Sequence, residues 1–179
     1  MRHHRAAAAA LLLPLLAACS SSSTHPDAAG TTAPATPAAA RPAGTPPAPA
    51  TLTATTVTST LEHAVPGLRT ITTYTAASDP NHLLGRPGGY SSKTAFADPR
   101  VRAADVTGED RDAIARGGSV EVFPTAAGAK ARAAMGAKIS ESMPALAEYD
   151  FVHGRVLIRV SNLLTPTQAA AYKRVVNGL

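Results

Sequence analysis

Residues 61–179 read as a small α+β domain, and three observations carry that reading. Leu68–Thr75, Ser119–Phe123 and Arg155–Ser161 are β-branched or alternate apolar with polar residues, as strands do. Thr125–Ser140 and Thr165–Leu179 have the caps and spacing of helices. The connections between these segments are short, and the order strand, helix, hairpin, helix places two helices on one face of a largely antiparallel sheet, a two-layer arrangement.

In chain order, Pro66-Gly67 and Asp79-Pro80 bound the first strand. Asp79–Gly89 is loop, punctuated by Pro80, Gly85, Pro87, Gly88 and Gly89, and Tyr90–Ala97 is a second strand. Residues 98–117 form a surface connection with one helical turn at Arg111–Arg116. In Ser119–Phe123, Val120 and Val122 share one face and Glu121 takes the other, predicting a half-buried strand. The helix that follows is capped near Thr125, with Gly128, Ala131, Met135 and Ile139 as its expected buried stripe, and Pro144 lies past its end.

Tyr149–Val152 and Arg155–Ser161 flank His153-Gly154, a tight hairpin with Val156, Ile158 and Val160 inward and Arg155 and Arg159 outward. The last helix is the best marked. Thr165 is its N-cap, Pro166 its first residue and Gln168 completes a capping box; Tyr172, Val175, Val176 and Leu179 give it an apolar side, and Asn177-Gly178 ends it. The arrangement resembles a ferredoxin-like unit with its sixth element, a strand, supplied from the N-terminal side, an analogy of fold that carries no function.

Ahead of this domain, Arg2 and Arg5 precede an apolar run, Ala6–Ala18, broken only by Pro14. Residues 1–18 thus have the n-region and h-region of a secretory signal, and 13 apolar residues are fewer than the about 20 that span a bilayer. Leu16-Ala17-Ala18-Cys19 resembles the lipobox of bacterial lipoproteins. The resemblance implies that the thiol of Cys19 receives a diacylglyceryl group and that Cys19 becomes the mature N-terminus on the outer face of the cytoplasmic membrane. Two acyl chains hold stably where one holds marginally. The competing reading is a secreted protein with a chance cysteine at its cleavage site.

Residues 19–60 are, after Cys19, almost all Ser, Thr, Ala, Pro and Gly, with single Asp27 and Arg41 and no Phe, Tyr or Trp. Such a segment buries too little apolar surface to offset chain entropy, so it is expected to be a disordered stalk, extended where its seven prolines dominate.

Composition excludes several classes. Net charge is +5 for the chain and +3 once Arg2 and Arg5 leave with the signal, a weak argument for an anionic partner. Clustered basic and aromatic residues are lacking, so nucleic-acid binding is not expected. With Cys19 the only cysteine, lipidation would remove thiol chemistry. Calcium needs six or more oxygens, and Asp79, Asn81, His82 and Asp98 lack the spacing of a known loop. His63, His82 and His153 are too scattered to predict zinc, and no cofactor is expected. Gly85–Thr94 fails the phosphate-loop pattern at Pro87 and Ser92, and Gly117–Glu121 lacks the closing glycine of a nucleophile elbow.

Asp79–Lys93 gathers most of the polar functionality. Leu83 and Leu84 pin the loop while Asp79, Asn81, His82, Arg86, Tyr90 and Lys93 are its candidate ligand-binding residues, with Arg86 and Lys93 supplying charge for a carboxylate or phosphate. The same residues also suit plain turn chemistry, in which Asp and Asn bond their own backbone. His153 reads as a solvated turn residue, and Arg155, Arg159 and Glu121 as a surface charge face.

The lipobox, the Ala/Pro/Thr stalk, Asp79-Pro80-Asn81, Leu83–Pro87 and Gly118–Phe123 together resemble uncharacterised lipoproteins of actinomycetes. The resemblance implies location and one small domain, and nothing catalytic. The expected function is a lipid-anchored, extracytoplasmic module that binds an anionic small molecule or an envelope protein. Two alternatives stand beside it: a small envelope hydrolase using His82 or His153, and a subunit docking to an envelope complex through the sheet face of Arg155 and Arg159.

Overall fold

The computed structural model describes residues 51–179; Cys19, the signal segment and most of the expected stalk lie outside them. Chain order is α1 (Ala54–Ala64), β1 (Arg69–Thr73), β2 (Ser92–Ala97), β3 (Gly117–Val122), α2 (Ala126–Ser142), β4 (Glu148–His153), β5 (Val156–Ser161) and α3 (Pro166–Asn177), with short 3-10 turns at Ala103–Val106, Ile114–Arg116 and Pro144–Leu146. The five strands form one antiparallel sheet in the order β1-β2-β3-β5-β4. The expected α+β class, with a largely antiparallel sheet, is the observed one.

The boundary at Leu61 is not where the fold begins. α1 starts inside the segment expected to be disordered stalk, capped by Thr53 and Thr56 in a reciprocal box. Ala54, Val57, Thr58 and Leu61 recur at helical spacing and are at most 1% exposed. Thr58 Oγ1 donates to Ala54 O at 2.8 Å and shares a 2.6 Å bond with Thr94 Oγ1 on β2, while Ala54 N donates to Ser92 Oγ. Threonine here serves as cap and buried contact, where its abundance had suggested linker.

Successive residues of each strand face opposite sides of the sheet, and both sides are covered. One side packs Thr94, Phe96, Val120, Val122, Val156, Ile158 and Val160 beneath α1 and α3, with Phe96 stacked on Tyr172 at 5.6 Å between ring centroids. The other side carries Lys93, Ser119, Glu121, Leu157 and Arg159. It lies beneath α2 and the 74–91 loop, where Tyr90, Phe123, Ala129 and Leu157 form a smaller apolar cluster.

Two helices do share a face, but they are α1 and α3; α2, expected beside α3, lies on the opposite side. The order β2-β3-β5-β4, with β5 between the strands that α2 joins, has the split crossover of the ferredoxin-like analogy and takes its outer strand from the N-terminal side. The placement of α2 and α3 on opposite faces departs from it.

Covering both faces reverses three sequence expectations. β3 is buried along its whole length, and Glu121 is 0% exposed. Arg159 does not face solvent, since its side chain is 15% exposed beneath α2, so the sheet face expected to dock a partner is already occupied. α2 turns inward along Ala129, Arg132, Ala133 and Gly136, while Met135, expected in the stripe, is 51% exposed. Gly136 lets the helix approach β4: a Cβ there would stand 2.9 Å from Asp150 Oδ2. The hairpin turn is shifted by one residue, with His153 paired to Val156 and Gly154-Arg155 at the bend, Gly154 at φ +52°.

The cap of α3 is as expected: Thr165 Oγ1 accepts from Gln168 N, and Gln168 Oε1 accepts from Thr165 N at 2.8 Å. Thr165→Ala removes half of that exchange and is expected to cost about 1 kcal/mol in urea unfolding; an unchanged midpoint would show that the cap contributes nothing.

Candidate functional site

The two covers of the α2 face meet at one end and part at the other. Tyr90 meets Phe123 edge-on at 5.8 Å, and with Ala129 and Leu157 closes the first end. Toward the start of β3 and the end of β5, α2 and the Pro144–Leu146 turn stand apart from the 74–81 and 109–115 segments. The gap is a cleft of about 540 Å³, within the size range of small-molecule sites. Lys93, Ser119 and Arg159 lie in its floor; Ile114, Met135, Ile139 and Leu146 give apolar walls; Glu109, Asp110 and Asp112 line the remaining side.

The floor is a network of buried charges. Glu121 accepts from Arg132 Nε at 3.3 Å and from an Arg159 terminal nitrogen at 3.4 Å, both long for bonds between ions. Arg159 binds Glu148 more closely, at 2.8 Å and 2.5 Å. Arg132 is 11% exposed, and its only other partner among the described residues is Met135 Sδ at 4.0 Å. Ser119, 2% exposed, has no hydrogen-bond partner for its Oγ among the described residues.

The loop candidates divide. Asp79 is buried and accepts from Tyr90 OH at 2.6 Å, from Lys93 Nζ at 3.2 Å, and from the backbone N–H groups of Leu83 and Leu84. Asn81 Nδ2 donates to Tyr90 OH at 3.2 Å. Burial pushes the Asp79 carboxyl up, but the bonds from Tyr90, Leu83, Lys93 and Leu84 outweigh it and hold the group well below the usual carboxylate range. Asp79, Asn81, Tyr90 and Lys93 therefore come together as the staple of the loop, and only Asn81 and Lys93 of them border the cleft. His82 (φ +53°) and Arg86 are exposed and lie outside it. Asp98, considered for metal, is buried against Tyr172 OH at 2.6 Å and the Arg100 guanidinium.

None of the three histidines among the described residues lines the cleft: His63 Nδ1 bonds Ser59 O on α1, and His153 ends β4 at the surface. The residues that sequence reasoning missed, Ser119, Arg132 and Glu148, share one detectable trace. Of the sequence's Glu121–Arg159 pair on neighbouring strands, Arg159 lines the floor and Glu121 lies buried beneath it, bonded to Arg132 and Arg159.

Asp150, beside this network, has its carboxyl pushed up to about 7, first by burial and then by the Glu148 charge. An unfolded chain ionises it near 3.8, so between these values the folded protein binds more protons and loses stability as pH rises. Asp79 and Asp98 are shifted the other way, and their contributions fade only as pH falls below about 4. Asp150→Asn is therefore expected to gain on wild type between pH 5 and 8 in urea midpoint, whereas parallel profiles would contradict the shift.

Comparison of the chain with protein-family models, with curated proteins and with solved structures finds no match. No helix among the described residues is long and apolar enough to cross a membrane.

Proposed function

We propose that this protein is a lipid-anchored, extracytoplasmic binding module, held through Cys19 to the outer face of the membrane, and that its site is the cleft beneath α2. One observation carries the site: an open cleft whose floor holds a buried hydroxyl, Ser119, without a partner among the described residues, beside an incompletely bonded guanidinium, Arg132. Buried polar groups normally find partners, and donors left over in a concave, partly apolar site suit a ligand.

The test is a thermal-shift screen of the full-length chain against small amphiphiles and cell-wall fragments. A ligand at a hundred times its dissociation constant adds about 2.7 kcal/mol. The shift is expected to disappear in Arg132→Ala and in Leu146→Asp, a substitution at an exposed wall residue, and to survive Arg86→Ala. Loss of the shift in Arg86→Ala alone would move the site to the 79–93 loop.

A further inference from the structure

The charges around the cleft limit what it can hold. Its floor brings three cations, Lys93, Arg132 and Arg159, against three carboxylates, Asp79, Glu121 and Glu148, every one of them in an ion pair. Among the described residues the floor has no cation left over to neutralise an anion, and Glu109, Asp110 and Asp112 place further negative charge along one side. In the floor a charged head of either sign finds no free counter-charge, and losing its water there costs more than it returns; of the side carboxylates, Glu109 and Asp110 are exposed and already hydrated, and Asp112 accepts from Tyr74 OH.

The unused capacity in the floor is of another kind. Ser119 Oγ has no partner among the described residues, and the terminal nitrogens of Arg132 meet only the Met135 sulfur. The guanidinium can only donate and the hydroxyl can donate as well, so the group that satisfies both is an acceptor. Opposite them, Ile114, Ile139 and Leu146 supply an apolar wall, with Leu146 57% exposed.

We infer that the cleft takes an uncharged amphiphile, with a carbonyl-type acceptor seated on Ser119 and Arg132 and a short hydrocarbon body against Ile114, Ile139 and Leu146. This rests on the cleft being the binding site and departs from the anionic ligand that net charge suggested. Apolar surface supplies the attraction, and the leftover donors orient the head.

Three probes of one chain length test it on the full-length protein by calorimetric titration at pH 7: octanamide, octanoate and octylammonium. Octanamide is expected to bind at least tenfold more tightly than either charged analogue. Ser119→Ala should weaken octanamide severalfold without lowering the thermal midpoint of the free protein, since it deletes a hydroxyl that bonds no described residue. Leu146→Asp should weaken octanamide and leave the fold intact. A charged analogue binding as tightly as octanamide would overturn the neutral-head inference while leaving the cleft as the site. Binding that Ser119→Ala and Leu146→Asp both leave unchanged, or no binding by any probe, would overturn the cleft itself.

Discussion

A fragment beginning at Thr51 is expected to unfold cooperatively, and one beginning at Leu61, the boundary that composition suggests, is expected not to fold. Deletion to Leu61 removes the Thr53 cap and the buried contacts of Ala54, Val57 and Thr58, and the four residues left of α1 are too few to hold a helix. Leu61 then loses its place over the sheet as well. Burying a Val or Leu is worth about 1.5–3 kcal/mol each, and Thr94 and Ser92 lose their partners on α1. Together these losses are on the order of 5 kcal/mol or more, the scale of a domain's whole stability. Circular dichroism of the two fragments decides it: a cooperative transition in 61–179 equal to that of 51–179 would show α1 to be dispensable.

Glu121→Ala is expected to be the most damaging single substitution beneath α2. Its carboxylate is the one negative group among the described residues that bridges α2 to β5, through Arg132 and Arg159. Among the described residues, removing it leaves Arg132 without a carboxylate and strips Arg159 of one of the two that it hydrogen-bonds. Breaking a buried pair in this way costs about 3–5 kcal/mol, because a buried charge is left uncompensated. Arg132→Ala should cost less, since Glu121 keeps Arg159 and Arg132 reaches solvent. Urea unfolding of the two variants checks the order; equal losses, or under about 1 kcal/mol for Glu121→Ala, would place the network among weak surface pairs.

The elements legible in sequence were those whose chemistry is local. The Thr165-Pro166-Gln168 cap, the strands around the Gly154 turn and the Thr125 cap are written in residues next to one another. What failed to show was decided by partners far along the chain. Alternation in Ser119–Phe123 identified two faces of β3 but could not say that the Glu121 face would also be covered, because its cover, α2, is recognisable as a helix and not by where it lies. The alanines of α2 left its facing open, and the inward side proved to be the one carrying Gly136 and Arg132 rather than Met135. α1 was hidden by Thr and Ala, which serve a linker and a buried helix equally well until the sheet beneath them is known.

The candidate site was half legible for the same reason. Asp79, Asn81, Tyr90 and Lys93 were singled out by their density in one loop, and the fold does join them, as a staple that fixes the loop's position beside the cleft. His82 and Arg86 belong to the loop's exposed turn. Ser119, Arg132 and Glu148 sit on three elements separated in sequence, and only the crossover of α2 over β5 and β4 brings them near one another.

The most direct test of the cleft as the binding site is hydrogen exchange of the full-length chain with and without octanamide. Slowed exchange is predicted in peptides covering 113–120 and 132–140, on opposite sides of the cleft, with none at His82–Gly88. Protection confined to the 79–90 loop, or none anywhere, would contradict it.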